Sequence, residues 1–199
     1  MAFYDADVVA GGVTQTLLEL TKSILGITDN SRDADLSLYL DMAGAAAEQY
    51  IDNIIDKRPV TEQFKHVNPD PIALRYWPAD NLTKVAVDGT DVTTDYVELT
   101  QDGLHWVLKE TGAESRCWTQ MDVTYDAGYD PIPPDIAYAI ARGAIAYDND
   151  VVSTGPVKKE TVVGVGSVEY DTGLAESTSY GMLPSASTAA LEKYRRYYA

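Results

Sequence analysis

The chain has 199 residues, of which 45% are apolar, 10% aromatic and 23% charged, a composition of ordinary globular proteins rather than disordered, collagenous or disulfide-rich ones. Lys and Arg number 15 against 31 Asp and Glu, a formal charge of −16. That balance excludes a conventional nucleic-acid-binding module, which needs clustered cations to hold phosphates. A lone Cys117 excludes an internal disulfide, and no CxxC or Cys/His cluster is spaced for zinc.

In chain order, Met1 to Gly12 lacks a basic region followed by an apolar stretch, so no secretory signal is expected there. No apolar run approaches the roughly 20 residues of a membrane span, and no membrane partner is expected. A first helix is predicted from about Val13 to Leu25, stopped by Gly26. The linker Thr28-Asp29-Asn30-Ser31 is rich in residues that cap helices.

The second helix, about Asp33 to Lys57, has the clearest periodicity. Leu36, Leu40, Ala43, Ala47, Tyr50 and Ile54 step by four and three, with Tyr39 and Ile51 beside the stripe. Asp41, Glu48, Asp52 and Asp56 are expected together on the other side. That acidic face reads either as a solvated surface or as a wall that a polyanion slides past without sticking. Pro59 ends the pattern.

From Ile72 to Tyr129 the period changes to two. Leu82 to Val87 reads as a strand closed by an Asp88-Gly89 turn, and Tyr96–Leu99 with Leu104–Lys109 as a second hairpin. In the latter strand Leu104, Trp106 and Leu108 share one side. Met121, Val123 and Tyr125 alternate with Asp122, Thr124 and Asp126, so one face of that strand is expected to be buried and the other wet.

Pro133-Pro134-Asp135 opens a third helix, thinned by Ala137, Ala139, Ala141, Gly143, Ala144 and Ala146, with Ile136, Ile140 and Tyr147 as its larger contacts. Residues 151–182 are rich in Gly, Ser and Thr, with one strand-like stretch around Glu160 to Tyr170, and are expected to be mobile alone or ordered by a partner. A last short helix is expected over about Ser185 to Tyr198, with Leu191, Tyr194 and Tyr198 on one face.

Chemistry-bearing patterns are scarce. His66 and His105 stand apart without ligand spacing, and Cys117 has no evident base. Asp148 with Asp150, and Asp33 with Asp35, read as helix-end charges rather than metal ligands. Gly164-Val165-Gly166-Ser167 lacks the Lys-Ser/Thr of a phosphate-binding loop. No enzyme activity, cofactor or metal is expected. The ending Tyr194-Arg195-Arg196-Tyr197-Tyr198 is a basic-aromatic exception in an acidic chain. It serves either as a complement to a helix dipole or as a docking tag.

Several of these stretches, in the same order, resemble one family. They are Leu25-Gly26-Ile27 with the acidic linker and the Tyr/Ala-rich helix, then Leu74-Arg75-Tyr76-Trp77-Pro78 through Val85-Ala86-Val87-Asp88-Gly89. The most specific are Val123-Thr124-Tyr125-Asp126-Ala127-Gly128-Tyr129 and Ile132-Pro133-Pro134-Asp135-Ile136 with its Ala-rich helix, followed by Leu183-Pro184 to Tyr194-Arg195-Arg196. Over most of residues 13–196 the chain is similar to tailed-bacteriophage head-tail connector proteins, also called adaptor or head-completion proteins.

The resemblance implies an α+β fold: mainly a helical bundle, with an inserted small antiparallel β region and an extended C-terminal arm ending in a short helix. On this chain that gives residues 1–71 as the N-terminal bundle part, 72–130 as the β insertion, 131–150 as the third bundle helix and 151–199 as the docking arm. It also implies a homo-oligomeric ring, typically twelvefold, in the virion neck at the capsid's portal vertex, assembled in the host cytoplasm. The portal protein and the next neck or tail protein are the implied partners, and DNA passes through the channel without specific binding. Tyr194, Arg195, Arg196, Tyr197 and Tyr198 are candidates for portal docking, and Asp41, Glu48, Asp52 and Asp56 for an acidic channel face. The alternatives are a stopper or tail-completion ring and, from another class, an acidic DNA-mimic inhibitor.

Overall fold

The computed structural model describes residues 3–10, 13–67, 72–93, 96–102, 105–110, 118–152, 159–162, 166–169 and 183–195. The elements begin with strands β1 (Asp7–Ala10) and β2 (Val13–Thr16), then helices α1 (Leu17–Leu25) and α2 (Asp33–Ile51). Strands β3 (Arg58–Val67), β4 (Ile72–Ala73), β5 (Ala79–Val87) and β6 (Thr90–Asp91) follow. Next come β7 (Tyr96–Asp102), β8 (His105–Glu110) and β9 (Trp118–Ala127). Helix α3 (Pro134–Val152), strands β10 (Lys159–Val162) and β11 (Gly166–Glu169), and helix α4 (Ser185–Leu191) complete the chain. The α+β expectation holds, and among the described residues strands are as prominent as helices. Two units separate, Met1–Asp52 with Pro131–Ala199, and Asn53–Asp130.

In the first unit, β1 and β2 form an antiparallel hairpin with Asp7 opposite Thr16. The expected helix over Val13–Leu25 is therefore four residues shorter. Thr16 sets its start: the Thr16 hydroxyl accepts the Glu19 N–H at 3.2 Å, and the Glu19 carboxylate accepts the Thr16 N–H at 3.0 Å. This Thr-x-x-Glu box was present in the sequence and outweighs the apolar periodicity that ran past it. Gly26, in the left-handed region at φ 69°, closes α1 as expected.

Helix α2 buries Leu36, Leu40, Ala43, Gly44, Ala47 and Ile51, following the predicted stripe. It ends six residues early. Asp52 turns left-handed at φ 52° and donates its N–H to the Glu48 carbonyl, so Ile54 belongs to the second unit's core and not to this helix. Helix α3 starts where the Pro-Pro-Asp signal placed it and buries Ile136, Ala137, Ala139, Ile140, Ala141, Gly143, Ala144 and Ala146. The small residues do what their size suggests. A Cβ at Gly143 would lie 2.9 Å from Leu183 Cδ2 and 3.0 Å from Ala43 Cβ, so α2 and the segment before α4 both close onto bare backbone. Helix α4 is shorter than expected: it stops at Leu191, a 3-10 turn covers Glu192–Tyr194, and Arg195 is extended. Strands β10 and β11 pair antiparallel within the strand-like stretch expected around Glu160 to Tyr170.

The second unit is built on β9. Strand β3 pairs with it from Arg58 opposite Ala127 to Val67 opposite Trp118, and β5 pairs with its other edge. The sheet order is β3-β9-β5-β6, beside a second sheet of order β4-β8-β7. Met121, Val123 and Tyr125 are buried while Asp122, Thr124 and Asp126 reach solvent, the predicted alternation. Ile54, Ile72, Leu74, Ala79 and Val85 complete this core. The Asp88-Gly89 turn forms with both residues at positive φ, 46° and 83°, as a two-residue hairpin requires. β7 and β8 also form the second expected hairpin; Leu104 lies outside the described residues, as does Cys117.

Candidate functional site

The first two residues of the basic-aromatic ending, Tyr194 and Arg195, are held by their own unit. Tyr194 donates its hydroxyl to both carboxylate oxygens of Asp135, at 2.9 and 3.1 Å. Lys193 pairs with the same carboxylate. Partial burial raises the Asp135 pKa, but the hydrogen bonds from Lys193 and Tyr194 outweigh it and leave the carboxyl below its ordinary value. On α2, Tyr50 donates its hydroxyl to Glu192, and the Arg195 guanidinium lies 5.3 Å from the Tyr50 ring centroid. Leu191, buried, anchors the turn. Two of the five candidate docking residues, Tyr194 and Arg195, thus face partners of their own chain; Arg196, Tyr197 and Tyr198 lie outside the described residues.

The four candidate channel carboxylates do not form one helix face. Asp41 accepts the Phe3 N–H at 2.7 Å, and with Glu48 it sits half-buried on the flank of α2. Asp52 is the left-handed cap beyond the helix. Asp56 is 6% exposed in the second unit, where it forms a bridge with Tyr129, so it is no surface helix residue. The physical reason is the early end of α2, which removes the 100° spacing on which the grouping of Asp52 and Asp56 depended.

What α2 turns outward instead is Ala34, Asp35, Leu38, Met42, Ala45 and Gln49. Leu38 is 58% and Met42 42% exposed. Sequence reasoning missed this second apolar stripe because one helix then carries apolar residues on two sides, and the buried stripe is the stronger. Helix α3 shows a narrower outward stripe with Tyr138 (49% exposed) and Arg142.

Other charged groups are structural. Arg32 pairs with the buried Asp148 carboxylate, tying the start of α2 to α3, which is more than the free helix-end charge expected of Asp148. In the second unit the Tyr125 hydroxyl meets Glu62, whose carboxylate also accepts the N–H groups of Arg75 (2.9 Å) and Tyr76 (3.3 Å). Burial first, then the Glu62 carboxylate, push the Tyr125 phenol pKa well up. His66 and His105 fall on β3 and β8. Among the described residues no group of three His, Cys, Asp or Glu side chains is placed to hold a metal, and no helix is long and apolar enough to cross a membrane.

Comparison with known proteins bears on this arrangement. Residues 15–77, from the capping box of α1 through α2 and β3 to Trp77, match the model of the phage gp6-like head-tail connector protein family. Three solved structures share this fold over 92% of the chain. A chain in the virion of the native gene transfer agent particle is 18% identical, with a TM-score of 0.62 and 90% of that chain covered. A chain in the neck of the empty particle, computed with C6 symmetry, is 17% identical with a TM-score of 0.60 and 90% of it covered. One in the neck of the native particle, computed with C12 symmetry, is 17% identical with a TM-score of 0.60 and 89% covered. No protein with a curated description matches.

Proposed function

We propose that this protein is a structural subunit of a phage-type neck, located in the virion, that forms a homo-oligomeric ring beneath the portal. The ring extends the DNA channel and joins the head to the tail or to the next neck protein. The observation that carries the reading is the joint occurrence of the match to the connector family model over residues 15–77 and a fold shared over 92% of the chain with chains in gene transfer agent necks. The necks that hold the similar chains were computed with C6 and C12 symmetry, which supports a ring, and a twelvefold one is compatible with the latter. A non-enzymatic role fits a chain whose charged groups, where they converge, satisfy one another. The formal charge of −16 suits a subunit beside which DNA slides without binding, with Asp41 and Glu48 as the candidate channel carboxylates.

Within this reading, residues 151–199 act as the arm that engages the portal, through Tyr194, Arg195, Arg196, Tyr197 and Tyr198. Tyr194 and Arg195 then exchange their contacts with Asp135 and Tyr50 for portal contacts during docking. The test is to mix the purified chain with portal-bearing capsids from the same phage and count the copies bound at the vertex. About twelve copies per portal vertex support the proposal; a monomer that ignores the portal overturns it.

A further inference from the structure

The two outward stripes of the first unit differ in chemistry in a way that suits each other. The α2 stripe is aliphatic at Leu38 and Met42 and is edged by the carboxylates of Asp35 and Asp41. The α3 stripe carries an aromatic ring, Tyr138, and one turn later the exposed guanidinium of Arg142. Among the described residues neither Asp35 nor Arg142 has an ion-pair partner, whereas Lys22, Arg32 and Lys193 of the same unit are all paired. Leu38, Met42, Tyr138 and Ile24 are the large apolar side chains exposed among the described residues, and all four lie in this unit.

Copies of a chain with a formal charge of −16 repel one another, so a lateral contact between them must be apolar at its centre and bring a cation to the facing carboxylates. A closed ring of more than two copies also joins two different patches of the same subunit at every contact. We infer that the outward stripe of α2 in one copy packs on the outward stripe of α3 in the next. Leu38 and Met42 then cover the Tyr138 ring, a contact that favours a thioether against an aromatic edge, and Arg142 faces Asp35. The occupant is a second copy of this chain, and the inference rests on the ring reading above.

Native mass spectrometry of the full chain across a concentration series, free and on portal-bearing capsids, tests it. Arg142→Glu is expected to raise the concentration for half-assembly at least tenfold. Asp35→Arg alone is expected to do the same, and the double variant, with the charges exchanged, to recover most of the loss. Leu38→Glu with Met42→Glu is expected to abolish assembly while leaving the helical circular dichroism of the monomer unchanged. If the unaltered chain assembles and these variants assemble equally well, the interface is wrong and the ring reading stands. Loss in both single charge variants without recovery in the double also overturns the pairing. An unaltered chain that stays monomeric with and without the portal overturns the ring reading, and this interface with it.

Discussion

The hydroxyl of Tyr194 spans both carboxylate oxygens of Asp135, at 2.9 and 3.1 Å, and so ties the turn after α4 to the first turn of α3. Replacing Tyr194 with Phe is expected to cost on the order of 1 kcal/mol, the value of one hydrogen bond to a charged, partly exposed acceptor. Hydrogen exchange is expected to rise in residues 185–195 and to stay unchanged in β3, β5 and β9. Equal acceleration everywhere would show that the clasp is not local.

The same carboxylate sets a pH dependence. Its folded-state pKa is depressed, so the stabilisation it contributes is present above the unfolded value and is lost as pH falls through the folded one. Docking of the C-terminal turn is therefore expected to weaken below about pH 4. Tryptic cleavage after Lys193 is unsuitable at that pH; acid-quenched hydrogen exchange reads the change, and Asp135→Asn is expected to flatten it.

Tyr125 points the other way. Its phenol is an acid whose pKa is raised by burial and by Glu62, so the native chain keeps it neutral while the unfolded chain ionises near pH 10. Stability is then expected to fall as pH rises above about 10, and to fall less steeply in Tyr125→Phe. The phenolate absorbance of the native protein at about pH 11 is expected to be the same in wild type and Tyr125→Phe.

Two glycines separate steric crowding from backbone strain. Gly128 holds φ at 109°, and a Cβ there would lie 2.9 Å from the Lys57 nitrogen and 3.0 Å from the Asp56 carbonyl carbon, neither of which can move as a side chain does. Gly128→Ala is expected to cost about 2–4 kcal/mol by urea unfolding. Gly143→Ala carries no positive-φ strain; it meets the end of Leu183, which can rotate, and the Cβ of Ala43, which moves only with α2, and is expected to cost about 1–3 kcal/mol. The reverse order would contradict this account.

Truncation before Val157 is expected to abolish capsid attachment, but it also removes buried Leu183 and Leu191, a loss of about 2–5 kcal/mol for each. Deleting residues 196–199 removes none of these buried side chains. It is expected to leave the thermal midpoint unchanged and to reduce capture by portal-bearing capsids. Normal capture would remove Arg196, Tyr197 and Tyr198 from the docking surface.

Elements whose signals were local could be read from the chain before it folded. The start of α3 at Pro134-Asp135, the Asp88-Gly89 turn and the alternation along β9 each depend on neighbours a few residues away, and so did the buried stripe of α2. The resemblance to connector proteins was carried by the same stretches, of which only α2 lies within residues 15–77, the part that the family model matches. The boundaries were less legible. Apolar periodicity ran through Val13 at one end of the helical region and through Ile54 at the other, because residues of a strand and of a second core happened to stay in phase.

The candidate sites were decided almost wholly by tertiary contacts. That Glu192 meets Tyr50 across 142 positions, that Asp135 gathers Lys193 and Tyr194, and that Asp56 is buried cannot be deduced from spacing, since spacing orders side chains only within one regular element. The sequence alone determined an acidic α+β chain with no catalytic pattern and a connector-like order of motifs. Which of its charges are spent inside the fold, and which apolar stripe is left outward on α2, followed only from packing, because burial is settled by elements far apart in the chain.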